Sequence, residues 1–279
     1  MLRIITDNAS DITLDQAREL DVELISLGIH FEDGDCPQRK DEDFTTFYDR
    51  LVKCDKLPVT SRPAPQAYLD IYLDAKAKGE EVLVLTLSSG LSGTIESAHE
   101  AKRQAAYEKI HIVDTHQAII AQRLLVEMAV RMRGEEYTAA EIAHKIEQVR
   151  DQVVVCGVVD TLKYLRKGGR IPASLAMLCT ALRIKPVIAL EDTTFKTIGK
   201  ARGHSQGVKM LYDRMKKDHF SKAYPVYFGY TTNREQAVAF MQKTKEQFGI
   251  INARLFPVGG IIGTLCGTNC VVVAYFKGC

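Results

Sequence analysis

Nine residues, Thr86-Leu87-Ser88-Ser89-Gly90-Leu91-Ser92-Gly93-Thr94, hold three serines, two threonines and two glycines. An apolar run, Val82 to Leu85, leads into them, and a helical pattern from about Ser92 to Tyr107 leads away. A helix N-terminus offers unpaired backbone N–H groups and about half a positive charge. Glycine admits a ligand to the main chain, and the hydroxyls add donors. The combination suits an oxyanion such as a carboxylate, phosphate or acyl phosphate. The plainer alternative is an ordinary N-cap at Ser92 with turn-forming glycines.

Other segments carry related chemistry. In Pro58-Val59-Thr60-Ser61-Arg62-Pro63-Ala64-Pro65 the prolines hold Arg62 and Ala64 extended and so stiffen the loop around Thr60 and Ser61. Local hydrogen bonding at a helix entrance accounts for the same hydroxyls. Lys163, Arg166, Lys167 and Arg170 surround Gly168-Gly169. A helix ending at Gly168 explains the first three cations by its dipole, and explains Arg170, past the glycines, less well. Gly199-Lys200-Ala201-Arg202-Gly203-His204 forms a compact basic loop. Gly259 to Thr268 is a second turn rich in glycine and hydroxyls, with Thr264 in it.

Several chemistries fail on spacing. There is no Walker-type phosphate loop, and no Gly-x-Gly-x-x-Gly after the first strand. Gly90-Leu91-Ser92-Gly93 has its second glycine one residue too early for a nucleophile elbow. Of seven histidines, His116 and His204 are best placed, and neither is tied to Ser92. No zinc spacing and no metal site emerges; Cys266 and Cys270 lack a neighbouring histidine. No cofactor is expected. The cations are not interleaved with aromatics, so nucleic acid is not an expected partner.

The elements that must position these residues alternate. Strands are expected at Leu2–Thr6, Val22–Ile29, Glu81–Thr86 and Lys109–Val113. Helices are expected up to Leu20, at Phe44–Val52, Pro65–Ala77, Gln117–Met132 and Thr138–Arg150, with a loop over His30–Asp43. This pattern predicts a three-layer α/β domain with a largely parallel sheet over residues 1–152. Its ligand-binding edge lies beyond the strands' carboxyl ends, where the polar residues after Ile5, Val59, Leu85 and Val113 should gather. Residues 153–279 mix hairpins and crossovers and predict an α+β domain. It includes strands at Val153–Val159, Ile184–Leu190, Tyr224–Tyr230, Ile251–Val258 and Val271–Phe276. Helices follow at Ser174–Leu182, Ser205–Lys217 and Asn233–Gln247, with a hairpin strand near Phe195–Ile198.

The 279 residues are 46% hydrophobic and 26% charged, with a net charge of +2, so no global field points to nucleic acid or an acidic membrane. Seven irregularly spaced cysteines read as reduced thiols in a cytoplasmic protein. No leader segment and no membrane-spanning run are expected.

Taken in order, Thr6-Asp7-Asn8-Ala9-Ser10-Asp11, Thr60-Ser61-Arg62-Pro63, Leu87 to Thr94, Val113-Asp114-Thr115, Asp160 to Ile171, Ile184-Lys185-Pro186, Gly199-Lys200-x-Arg202 and Gly260-Ile261-Ile262-Gly263-Thr264 resemble the DegV family of bacterial fatty-acid-binding proteins. The resemblance spans nearly the whole chain. It implies two α/β domains with a long-chain fatty acid between them, carboxylate at the junction and acyl chain in an apolar tunnel. It also implies delivery of that fatty acid to a separate kinase, which makes acyl phosphate for phospholipid synthesis, with no ATP site in the carrier itself; the chain is expected to be a lipid-binding protein and not an enzyme. Carried over by residue, Thr60, Ser61, Ser92, Gly93 and Thr264 would bind the head group. Arg170 and Arg202, with Arg62, would form a basic mouth or kinase contact. One departure is clear: Leu265 stands where the family has a histidine that contacts the carboxylate. A lost hydrogen bond to a charged group costs about 1.5–3 kcal/mol, so Ser92 is expected to matter more than Thr264. Two alternatives follow: a serine-dependent acyl hydrolase or transferase with Ser92 as nucleophile, or a carrier of a different amphiphile.

Overall fold

The computed structural model describes residues 1–171 and 184–278; the helix expected at 174–182 lies outside them. Three sheets organise the chain. The first has the order β2-β1-β6-β7, all parallel: β1 (Leu2–Asp7), β2 (Glu23–Ile25), β6 (Glu81–Thr86) and β7 (Ile110–Asp114). Side-chain alternation along these strands feeds two layers. Ile5, Val82 and Val84 pack with Tyr68 and Tyr72 of α3 (Pro65–Lys78) and Ala98 and Ala101 of α4 (Thr94–Ala105). Ile4, Leu83 and Leu85 face α5 (Ile119–Gly134) and α6 (Ala139–Val149). The capping box at the start of α6 forms as its sequence predicts, with Glu141 N–H donating to Thr138 Oγ1 and Thr138 N–H to Glu141.

The expected strand Val22–Ile29 is instead two strands in two sheets. At the break, Asn8 acts as a backbone stand-in: Leu27 N–H donates to its Oδ1 (2.9 Å), and its Nδ2 donates to Leu27 C=O (3.3 Å). The chain can therefore leave the parallel sheet with its polar groups satisfied. It enters a small antiparallel sheet, β4-β3-β5, made from β3 (Gly28–Phe31), β4 (Gly34–Asp35) and β5 (Val59–Ser61). His30–Asp43 is thus only partly a loop; two strands occupy its start, and α2 (Asp41–Lys53) begins before its end. The segment after Val59 belongs to this sheet and not to the parallel one.

The third sheet begins at Val153 and runs β10-β9-β8-β13-β11-β12. It comprises β8 (Val153–Val158), β9 (Ile184–Glu191), β10 (Thr194–Arg202), β11 (Val226–Tyr230), β12 (Ala253–Pro257) and β13 (Val271–Phe276). All its pairs are antiparallel except β11 with β12. Between β8 and β9 lies the short α7 (Lys163–Lys167). The helices α8 (His204–Lys217) and α9 (Arg234–Phe248) cover one face of the sheet, and α5 lies against the other. Because it is covered by a sheet on each side, α5 is buried almost all round, including Gln122 and Arg123.

Gly259 to Thr268 is not simply a turn: residues Gly260–Cys266 form a buried helix, α10. Its first free donors are taken by side chains distant in sequence. Gly259 N–H donates to Asp11 Oδ1 (2.8 Å) and Gly260 N–H to Gln38 Oε1 (2.6 Å). Local composition suggests a turn; the helix exists because tertiary partners cap it.

Candidate functional site

The carboxyl edge of the parallel sheet gathers polar groups as its topology requires. Asp7, at the end of β1, accepts Leu87 N–H at 2.8 Å, and Ser89 N–H donates to Asp114 at 3.2 Å. Thr115 Oγ1 donates to Thr86 C=O at 2.7 Å. Burial pushes the Asp7 carboxyl up to about 6, against the opposing pull of the Leu87, Gln122 and Ala9 donors. These bonds fix the backbone of the 86–94 segment before any ligand arrives.

That segment touches the second half of the chain. Ser88 Oγ donates to Thr193 C=O at 2.8 Å, and a Cβ on Gly90 would come within 2.3 Å of the same oxygen. Only glycine permits this approach. Ser92 is not the cap of α4. The cap position is Gly93, without a side-chain cap, and Ser92 Oγ lies 2.9 Å from Thr94 Oγ1. The α4 N-terminus is thus not closed off by a serine, while the Ser92 hydroxyl is engaged by a neighbouring hydroxyl and not by an imidazole.

A cavity of about 510 Å³ opens between residues 56–60 and the α7–α10 junction, and Arg170 connects it to this segment. This is within the ~300–1,000 Å³ typical of small-molecule sites. Lys56 and Thr60 line it from one half, and Lys167, Arg170, Thr264 and Leu265 from the other. Among the described residues, three cations and two threonine hydroxyls meet apolar surface from Leu57, Tyr164 and Leu265, and no carboxylate is in the lining. Arg170 Nε donates to Leu91 C=O (3.1 Å) and Nη1 to Gly168 C=O (2.5 Å), which fixes the guanidinium between the cavity and the 86–94 segment. Arg62 lies over the same segment, with Nη1 3.4 Å from Gly93 C=O.

The helix-end reading of Lys163 to Gly168 describes the backbone well. α7 stops at Gly168, Gly169 is left-handed at φ 70°, and Arg170 N–H returns to Leu165 C=O. The side chain of Arg170 both caps that helix end, through Gly168 C=O, and borders the cavity. Leu265 is buried, and a Cβ on Gly168 would lie 2.5 Å from its Cδ2. Thr264 Oγ1 donates back to Ile261 C=O at 2.7 Å, leaving its lone pairs as the remaining polar surface.

Of the residues singled out from the sequence, Thr60, Arg170 and Thr264 line the cavity, with Leu265. Ser92, Gly93 and Arg62 are not in the lining: Ser92 and Gly93 lie in the segment that Arg170 bonds at Leu91, and Arg62 lies over Gly93. Ser61 is not in the lining: it pairs with Gly28, and its hydroxyl meets His30 Nε2 at 2.8 Å on the exposed face of the small sheet. Arg202 stands at the opposite end of the β9–β10 hairpin from the turn that touches Ser88. It is exposed, and its backbone N–H donates to Gln206. Lys56 and Lys167 were not singled out as ligands; Lys56 lies in a loop with no motif. A second cavity of about 530 Å³ lies between α8 and α9; His204 lines it, and none of the residues expected to bind the head group or form the basic mouth does. Among the described residues, no cluster of histidine, cysteine and carboxylates could hold a metal, and no helix is long and apolar enough to cross a membrane.

A model of the DegV family, described as an uncharacterised protein family, matches residues 1–278. A DegV domain-containing protein of Clostridium perfringens is 25% identical over 281 residues, covering 99% of each chain. Among solved structures, a DegV lipid-binding protein from Thermotoga maritima superposes with a TM-score of 0.87 at 25% identity, covering 99% of this chain and 98% of its own. Another Thermotoga maritima protein, reported to have fatty acid binding function, gives 0.86 at 25% identity and 99% coverage of both. The Streptococcus pneumoniae fatty acid kinase B3 protein, loaded with linoleic acid, shares the fold at a TM-score of 0.86, 20% identity and 100% coverage of both.

Proposed function

This chain belongs to the DegV family, and from that premise we propose that it binds one long-chain fatty acid in the cavity between its halves. The observation that carries the reading is the lining itself. Lys56, Lys167 and Arg170 attract a carboxylate, Thr60 offers a hydroxyl donor, and Leu57, Tyr164 and Leu265 suit methylene groups, while the Thr264 proton is already given to Ile261 C=O. Ser92 and Gly93 complete the head-group end through the segment that Arg170 grips. The fatty acid binding reported for a Thermotoga maritima relative points the same way.

The same cations suit a product more highly charged than a carboxylate. We infer that the protein presents its ligand to a separate kinase and retains the acyl phosphate. The name of the pneumococcal neighbour supports that partnership. The carrier role asks no chemistry of the chain at this cavity, and the Ser92–Thr94 hydroxyl pair does not favour Ser92 as a nucleophile. Native mass spectrometry of the purified protein, with lipid extraction, should find about one fatty acid per chain. A site that stays empty after addition of fatty acids, or that fills with another lipid class, would displace this reading.

A further inference from the structure

The small antiparallel sheet brings together three side chains far apart in sequence. Ser61 Oγ on β5 is 2.8 Å from His30 Nε2 on β3, and His30 Nδ1 is 2.6 Å from Asp35 Oδ1 on β4. The strand register makes the alignment: Gly28 pairs with Ser61, His30 with Val59, and His30 also with Asp35. Gly28 leaves the space in which serine and imidazole meet. A Cβ there would lie 2.6 Å from Ser61 Oγ and 2.7 Å from His30 Nε2. The turn that carries Asp35 is clamped by Arg50, which donates to Asp33, to Gly34 C=O (3.0 Å) and to Asp35 C=O (2.9 Å). Arg50 is itself stacked over Phe31, 4.2 Å from the ring centroid.

With Nδ1 protonated toward Asp35, Nε2 is free to take the Ser61 proton, the order of roles in a hydroxyl–imidazole–carboxylate relay. We propose that Ser61, His30 and Asp35 form a second, hydrolytic site for small carboxylic esters. Ser61 Oγ bonds to the carbonyl carbon as its proton passes to His30 Nε2. The bond to the leaving alcohol breaks as His30 returns that proton to the departing oxygen. Water then repeats the sequence on the acyl-serine, releasing the acid and restoring Ser61. No oxidant or cofactor enters the balance. The set faces solvent, with the Asp35 side chain 79% exposed, so small acyl groups are the substrates that need no channel. Thr60, the neighbour of Ser61, and Val59, the cross-strand partner of His30, both line the fatty-acid cavity. The two sites adjoin but share no side chain, so an empty cavity, read by mass spectrometry, and an inert Ser61, read by hydrolysis, are distinguishable failures.

The test is hydrolysis of p-nitrophenyl acetate and butyrate by the full chain, with peptide mapping of a fluorophosphonate adduct on the unaltered protein. Saturable hydrolysis and an adduct on Ser61 are expected. Ser61→Ala and His30→Gln should each lower the rate by about 10²–10⁴-fold, the usual worth of positioned proton transfer. Arg50→Lys, altering a positioning residue, should lower kcat with KM little changed. Thermal melting of each variant separates loss of activity from loss of fold. Hydrolysis no faster than buffer, an adduct on another residue, or undiminished turnover in folded Ser61→Ala would overturn the proposal.

Discussion

Arg170 is held by two carbonyls, yet it still lines the cavity with its charge. Its place at the cavity does not follow from the helix end alone, since the guanidinium also bonds the Gly168 carbonyl that closes that helix. If it faces the ligand's carboxylate, Arg170→Ala removes a charged hydrogen bond worth about 1.5–3 kcal/mol. Fatty-acid affinity, measured by displacement of a fluorescent fatty acid, should fall about ten- to a hundredfold. Arg202→Ala, altering a side chain at the other end of the hairpin, should leave it within error. Equal losses in both variants would mean that Arg202 reaches the ligand. Ser61 was misplaced for a residue-scale reason. Its partner His30 lies 31 positions away, and only cross-strand pairing, with no motif behind it, puts the two in contact.

At the scale of elements, the parallel sheet was legible because apolar strands alternate with capped amphipathic helices. Two features were not. The break between β2 and β3 depends on the Asn8 side chain, and α10 depends on Asp11 and Gln38, so neither is written in its own segment. The junction of α7 with α10 is equally tight. Gly168 abuts Leu265, and both border the cavity. Gly168→Ala should drive Leu265 into the ligand space and weaken binding more than it lowers Tm. Adding Leu265→Ala should restore part of the affinity, as neighbours in contact behave non-additively. Strictly additive effects in that double-mutant cycle would show that the contact does not shape the cavity.

At the scale of the molecule, Asp11 joins the first loop of one half to α10 in the other. It sits left-handed at φ 57°, and its Oδ2 is buried without a partner among the described residues. Burial pushes its carboxyl up to about 8, outweighing the Gly259 N–H and the charge of Arg123. Between about pH 4 and pH 8 the folded chain therefore holds a proton that the unfolded chain has released. Ionisation then favours unfolding, so this group's contribution to stability falls as pH rises through that window and levels off above it. Asp7, pushed up to about 6, adds to the lower part of the fall. Asp11→Asn keeps the acceptor for Gly259 and discards the buried charge. Thermal melts from pH 4 to 9 should show a flatter profile and a higher Tm above pH 8 than the parent. Parallel profiles would mean that Asp11 ionises without penalty in the folded state.

The continuity of the core has a kinetic consequence. One apolar cluster runs from Ile4 and Leu85 through α5 to Val155, Val272 and Phe276. The helix at its centre cannot be exposed by separating either sheet alone, because the other still covers it. Backbone amides along Ile120–Ala129 should therefore exchange with deuterium only through global opening, with one shared opening free energy and the greatest protection in the chain. Edge strands such as β2, β4 and β12 should exchange orders of magnitude sooner. A ligand held in the cavity would slow α5 by the full free energy of binding, which makes its amides a direct gauge of occupancy.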